Sequence, residues 1–263
     1  MSQARKRFGQ HFLHDPGVIA RIARAINPGP EDHLLEIGPG RGALTHRLLA
    51  GDYASFDAIE IDRDLAADLR PTLALARATT LHECDALDFD YLELARLRGA
   101  RLRVIGNLPY NISTPLLFRL IAAAPAIADL HVMLQREVVA RMAAAPGSGD
   151  YGRLTVMLAP WVSVEQLFEI GPGAFRPPPR VWSAMAHLTV RAQPAFAVAP
   201  QFAQLVTAAF SQRRKTLRNS LRSLLEPQAI EACGVDPSAR AETLAPEQFN
   251  RLALKVGHSV VAS

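Results

Sequence analysis

Four consecutive residues, Asn107-Leu-Pro-Tyr110, bring together an amide side chain, a proline carbonyl and an aromatic ring. That set suits chemistry at the exocyclic amine of a flat base. An adenine N6 amine is a poor nucleophile because its lone pair is delocalised into the ring. The Asn107 side-chain oxygen and the Pro109 carbonyl can accept its two N–H bonds, draw the nitrogen towards tetrahedral and aim the lone pair at an incoming group. Tyr110 can stack on the base. With a good leaving group on the electrophile, positioning and dipole placement carry the reaction without a strong general base. Taken alone, the tetrapeptide also reads as a polar β-turn with proline at its second central position.

Upstream, Glu36-Ile-Gly-Pro-Gly-Arg-Gly42 follows a strand pattern and opens a helix pattern at Ala43. Glycines there let the backbone turn tightly and approach a ligand that a Cβ would push away. Gly38-x-Gly40-x-x-Ala43 also fits a dinucleotide fingerprint loosely, so the loop alone does not select a ligand. Glu60 ends the next strand, where a carboxylate can take both ribose hydroxyls. Asp85 follows the third strand, placed for an adenine amino group. Singly, either acid also reads as a helix cap or a solvated loop residue. Three acids at three successive strand ends suit S-adenosylmethionine, which carries a sulfonium and an ammonium but no pyrophosphate.

These residues need a scaffold that brings strand ends together. Strands are expected at His33–Ile37, Asp57–Ile61, Thr80–His82, Leu102–Ile105 and Leu130–Leu134, with further extended stretches at Leu154–Trp161 and Ala184–Val190. Amphipathic segments such as Ala43–Leu49, Arg63–Leu69 and Pro115–Ala123 lie between the early ones. The alternation predicts βαβ units: an α/β, Rossmann-like, mostly parallel sheet with helices on both faces. Gln193–Pro200, rich in proline and alanine, reads as a linker. Only helical patterns follow: Gln201–Phe210, Arg213–Leu225, Gln228–Cys233 and Pro246–Val256. The expected organisation is a catalytic domain over residues 1–192 and a small all-helical C-terminal domain over 193–263.

With 263 residues, 49% of them hydrophobic, the chain is neither disordered nor collagen-like. No apolar run approaches the ~20 residues of a membrane helix, and no apolar stretch follows the basic N-terminus as a secretory signal requires. Cys84 and Cys233 are far apart, which points to reduced thiols rather than a disulfide or a cysteine metal site; no metal is expected. The location expected is the cytoplasm, with no membrane partner.

From Arg176 onwards the chain holds 11 basic and 5 acidic residues, against 18 and 20 before it. The positive excess sits in the C-terminal third, with a smaller cluster at Arg5-Lys6-Arg7, and suggests a polyanionic partner. At helical spacing Arg214, Arg218 and Arg222 share one face and Leu217, Leu221 and Leu224 another. Such a helix packs on the protein and presents guanidiniums suited to phosphate. An exposed helix with no partner is the plainer alternative.

Together these landmarks resemble the bacterial small-subunit ribosomal RNA adenine dimethyltransferase family, over nearly the whole chain. They stand as Arg5-Lys-Arg-Phe-Gly-Gln-His-Phe-Leu13, Glu36-Ile-Gly-Pro-Gly40 with Gly42-Ala-Leu-Thr45, and Gly106-Asn-Leu-Pro-Tyr-Asn-Ile-Ser-Thr-Pro115. Leu134-Gln-Arg-Glu-Val138, Tyr151-Gly-Arg-Leu154, Phe175-Arg-Pro-Pro-Pro-Arg-Val181 and Gln212-Arg-Arg-Lys-Thr-Leu-Arg-Asn-Ser-Leu221 follow in order. The resemblance implies a class I methyltransferase sheet with S-adenosylmethionine held at His11, Leu13, Gly38, Glu60, Asp85 and Asn107. It implies a target base between Tyr110 and Phe175, with Asn107 and Pro109 on its amine. The implied product is N6,N6-dimethyladenosine at two adjacent adenosines in the hairpin near the 3′ end of 16S rRNA, made by a monomer on an immature 30S subunit. Large-subunit enzymes of macrolide resistance share the adenine-N6 chemistry. DNA amino-methyltransferases usually carry Asp/Asn-Pro-Pro-Tyr/Phe instead. A ribosome-assembly or transcription factor that kept the fold is a further alternative, against which the intact acids and Asn107 speak.

Overall fold

The computed structural model describes residues 11–212 and 214–256. The basic cluster at Arg5-Lys6-Arg7 and Arg213 lie outside the described residues. The chain divides into two compact units, one of residues up to Val139 plus Ser163–Gln193, the other of Ala140–Val162 plus the residues from Pro194 on. The break at Gln193 coincides with the proline- and alanine-rich linker. Residues 140–162, assigned from the sequence to the catalytic domain, belong to the second unit.

In the first unit, β1 (Phe12–Leu13) leads to α1 (Pro16–Ile26), which starts on Asp15 as its cap with proline in the first turn. β2 (His33–Ile37), α2 (Ala43–Leu49), β3 (Ser55–Ile59), α3 (Arg63–Leu75), β4 (Thr79–His82), α4 (Tyr91–Arg98), β5 (Leu102–Asn107), α5 (Ser113–Ala122) and β6 (Ile127–Gln135) then alternate. α6 (Arg136–Ala143) leads out of this unit, and α7 (Arg153–Leu158) lies within the second. β7 (Val162–Ile170), β8 (Phe175–Arg176) and β9 (Ser183–Val190) complete the strands. Among the described residues no helix is long and apolar enough to cross a membrane.

The main sheet runs β4-β3-β2-β5-β6-β9-β7. The first four pairings are parallel and β6 with β9 is antiparallel. Strands covered on both faces are apolar along their length rather than alternating, and every residue of β3 is buried. After β4 the chain crosses over to lay β5 on the other side of β2, which puts a topological switch point between β2 and β5. Ligands of open α/β sheets bind outside the strand ends at such a point. Here Ile37 is the register partner of both Ile59 and Gly106. The residues that follow, Gly38, Glu60 and Asn107, therefore emerge side by side.

Leu154–Trp161, read as extended, holds all but the first residue of α7 instead. A short apolar run does not distinguish a buried strand from a buried helix. Local bonding decides: the Gly152 N–H donates to Thr155 Oγ1 at 3.2 Å and the Val156 N–H to the Gly152 carbonyl at 3.1 Å. The true neighbouring strand, β7, ends the sheet order, with Val162 and Ile170 buried at its two ends and Glu165 and Glu169 among the apolar residues between.

The second unit continues with α8 (Phe202–Ala209), α9 (Leu217–Ser220), α10 (Pro227–Glu231) and α11 (Pro246–Lys255) around a core that includes Val156, Leu205, Leu217, Leu221, Phe249 and Leu252. The helix expected over Arg213–Leu225 is thus four residues long at its regular part. Thr216 is extended and bridges Arg240, while the Leu217 and Arg218 N–H groups donate to the Ala239 and Pro237 carbonyls. Those bonds start the helix at Leu217 and leave Arg214 outside it. Leu217, Leu221 and Leu225 are buried, Leu224 only partly, and Arg214, Arg218 and Arg222 are exposed.

Candidate active site

A cavity of about 260 Å³ opens at the switch point, lined by His11, Leu13, Gly38, Glu60, Asp85, Asn107, Pro109 and Tyr110 among others. The structure thus brings together every expected cofactor residue and three of the four expected catalytic ones.

The loop after β2 approaches the cavity on glycines with left-handed backbone. Gly40 has φ +59°, and a Cβ there would meet the Phe12 ring at 3.2 Å. Gly106 is tighter, since a Cβ would come within 2.8 Å of both the Ile37 carbonyl and the Leu108 side chain. A side chain at Gly106 would have to move the strand ends, and one at Gly40 would have to displace the Phe12 ring on a strained backbone.

Three carboxylates stand around this loop. Glu36 is 3% exposed, and its Oε2 accepts the Thr45 hydroxyl at 2.6 Å. Burial, with the neighbouring Glu60 charge, pushes its pKa up to about 7 despite that bond. Glu60 is also raised by burial, although its two oxygens accept the Gly40 and Asp62 N–H groups at 3.1 and 2.9 Å. Those bonds hold the carboxylate still and leave acceptor capacity for hydroxyl donors. Asp85 accepts the Leu87 N–H at 2.9 Å. Buried acids pushed towards neutrality are an unfavourable arrangement unless a cation arrives, so the donor set fits a positively charged, hydroxyl-bearing ligand.

Asn107 ends β5. Its Nδ2 donates to the His11 carbonyl at 3.0 Å, and because that partner can only accept, the bond orients the amide and turns Oδ1 the other way. His11 in turn donates from Nδ1 to the Pro177 carbonyl at 2.8 Å. Tyr110 hydrogen-bonds Ser183 Oγ at 2.8 Å, and its ring stands 5.8 Å from the His11 imidazole at 32°. Burial raises the Tyr110 pKa, so the phenol stays neutral.

Phe175 departs from expectation. Its register partner is Leu13 on β1, and the ring is 2% exposed within the core that holds Ile105, Met133 and Met185. It braces β1, which carries Leu13 and follows His11, and does not line the cavity with Tyr110. The sequence reading missed Ser183 and the Pro177 carbonyl, which lie 73 and 166 residues from their partners; no local pattern carries such pairings. It also missed His131, which lines the cavity and stacks on His187 with centroids 4.4 Å apart.

The family model for ribosomal RNA adenine dimethylase matches residues 1–256. The chain belongs to this family. It is 54% identical over 253 residues to ribosomal RNA small subunit methyltransferase A of Pseudomonas aeruginosa, covering 95% of this chain and 94% of that protein. The protein of the same name from Methylococcus capsulatus is 52% identical over 241 residues, with 91% and 93% covered. Among solved structures, a dimethyladenosine transferase from Plasmodium falciparum superposes with a TM-score of 0.80 at 25% identity, covering 93% of this chain and 97% of that one. The 23S rRNA methyltransferase ErmE does so with 0.69 at 28%, over 93% and 99%.

As a ribosomal RNA adenine dimethylase, the chain is an enzyme that uses S-adenosylmethionine and acts on rRNA. The fold is the Rossmann-like class I methyltransferase sheet expected, with a helical C-terminal part.

Proposed function

We infer that this enzyme dimethylates the N6 amines of two adjacent adenosines in the 3′-terminal hairpin of 16S rRNA, acting as a cytoplasmic monomer on an immature 30S subunit. The observation that carries the chemistry is the Asn107 amide, whose donor end is committed to His11 and whose acceptor end is thereby left for an amine. The small-subunit target rests on the names of the relatives that are more than 50% identical, against 28% for the large-subunit enzyme.

S-Adenosylmethionine supplies an electrophilic methyl on a sulfonium, a good leaving group. Around it, Glu60 would take the ribose hydroxyls, Asp85 the adenine amine, and Glu36 the ammonium end, with Gly38 giving backbone access and His11 and Leu13 closing the wall. On the target side, Asn107 Oδ1 and the Pro109 carbonyl would accept the N6 hydrogens, and Tyr110, steadied by Ser183, would stack on the base. Phe175 supports this through β1 rather than by touching the base. A loop adenosine costs less to extrude than a paired one. In the second unit, the exposed Arg214, Arg218 and Arg222 would take phosphates.

The test is transfer from labelled S-adenosylmethionine to small subunits that lack these methyls, with naked 16S rRNA and large subunits alongside, followed by digestion to nucleosides. Label recovered as N6,N6-dimethyladenosine from small subunits alone is the expected outcome. Label on large subunits would move the target to 23S rRNA. Bound cofactor with no transfer to any substrate would favour a binding role.

A further inference from the structure

We propose that Trp182 is a stacking platform for an unpaired nucleobase next to the target adenosine, with Arg176 and Arg180 holding phosphates of the same loop; this rests on the rRNA reading above. The indole is 49% exposed, and Val181 beside it is 42% exposed. Covering so large an apolar side chain is favourable, so the pair offers a surface on which a flat apolar group can sit.

Its place follows from two anchors. The Pro177 carbonyl accepts from His11, and Ser183 hydrogen-bonds Tyr110. The segment between them is therefore tied at both ends to the residues on the Tyr110 side of the cavity. Consecutive Cα atoms are about 3.8 Å apart, so Trp182 sits one residue from the group that steadies the proposed base-stacking ring.

The platform is held in place. The Trp182 carbonyl accepts the Arg136 N–H at 2.9 Å. The six-membered ring leans on Gly171, where a Cβ would lie 3.6–3.9 Å from Cη2, Cζ3 and Cζ2. An indole backed by protein on one side and open on the other can accept a base on its free side.

Charge selects the occupant. Arg136 pairs with Glu169 at 3.4 Å, which cancels that charge locally. Arg176 and Arg180 are both exposed on the same short segment and add two positive charges. Exposed tryptophan flanked by arginines fits single-stranded RNA, in which bases stack on aromatic rings while guanidiniums take phosphates. An apolar protein partner would make no use of the two cations.

The chain has two tryptophans, Trp161 and Trp182, so Trp161→Phe makes Trp182 a direct reporter. The probe is a synthetic 3′-terminal hairpin of 16S rRNA with unmethylated loop adenosines, compared with its stem as a blunt duplex. We expect the hairpin to quench Trp182 emission at least twofold and to shield it from acrylamide, and the duplex to do neither. With small subunits as substrate, Trp182→Ala should raise KM about tenfold with kcat within twofold, and Trp182→Phe should recover most of the loss. Emission unchanged by a hairpin that is bound and methylated overturns the platform and leaves the methyl-transfer reading standing. Equal quenching by the duplex, or a Trp182→Ala defect on small subunits without quenching by the hairpin, overturns stacking in favour of a phosphate or ribosomal-protein contact. Absence of methyl transfer by the natural protein counts against the functional reading itself.

Discussion

The Asn107 side-chain amide donates to the backbone carbonyl of His11 at 3.0 Å, across 96 residues of sequence. One bond thereby orients the amine acceptor and ties β1 to the end of β5. Asn107→Asp keeps an acceptor but loses the donor and sets a charge against a carbonyl; Asn107→Ala removes both ends. Both variants should lose about 10²–10³-fold in kcat, the scale of deleting one oriented polar group in an active site, while cofactor binding by calorimetry changes far less. Full methyl transfer by Asn107→Ala would sink the proposed role.

Cofactor binding should depend on pH through Glu36. Its pKa of about 7 in the folded chain lies above its ordinary 4.5, so the folded state holds a proton there that the unfolded state has released. Between those values stability without cofactor falls as pH rises. A cationic ligand has the opposite preference and favours the ionised carboxylate. Affinity for S-adenosylmethionine should therefore climb severalfold from pH 5.5 to 7, below the range where an α-amino group titrates, with proton release on binding. Glu36→Gln should flatten the climb. Calorimetry in two buffers of different ionisation enthalpy measures the released protons, and none released would remove the contact.

Asp129 titrates in the opposite sense. Burial raises its pKa, but His131 and Arg103 outweigh that and hold it at about 2, against an ordinary 3.8. Arg103 donates to the carboxylate at 3.1–3.2 Å and also to Asp32 and to the Ile26 carbonyl at the end of α1. Stability from the depressed pKa is complete above 3.8 and is lost as pH falls through about 2. Asp129→Asn should cost ~2 kcal/mol at pH 7 by urea unfolding. The gap to the natural protein should narrow at pH 3; a gap that stays constant would assign the loss to packing.

How legible these features were depended on whether their cause is local. β2 and α2 fall on the expected residues because an apolar run, a glycine loop and an amphipathic turn are consecutive in the chain. α4 carried its own signals, Asp90 capping the Glu93 N–H and Gly99 closing the far end at φ +68°. Its apolar seam of Tyr91 and Leu94 gives only a weak period. Where α7 stands, the same apolar letters serve strand and helix, and the bonding of Gly152 with Thr155 and Val156 chooses the helix. In the site, the strand-end residues were readable from order alone. Ser183 behind Tyr110, Pro177 against His11 and the inward turn of Phe175 come from pairings across the fold.

The basic face of the second unit differs from a continuous helix in a way that binding can detect. Arg218 and Arg222 are four residues apart and exposed, while Arg214 precedes the extended Thr216 and is positioned independently. If each contacts a phosphate, replacing all three by Gln should make the slope of log K against log salt shallower by about 2, at roughly 0.7 per contact for unpaired RNA. Arg218→Gln and Arg222→Gln together should account for about two thirds of that change. The rate of methyl transfer at saturating RNA should be unaffected, since none of the three stands in the proposed chemistry. Titration of the natural protein and both variants with small subunits from 50 to 200 mM salt measures the slopes. A slope equal to that of the natural protein would return this face to plain solvated surface.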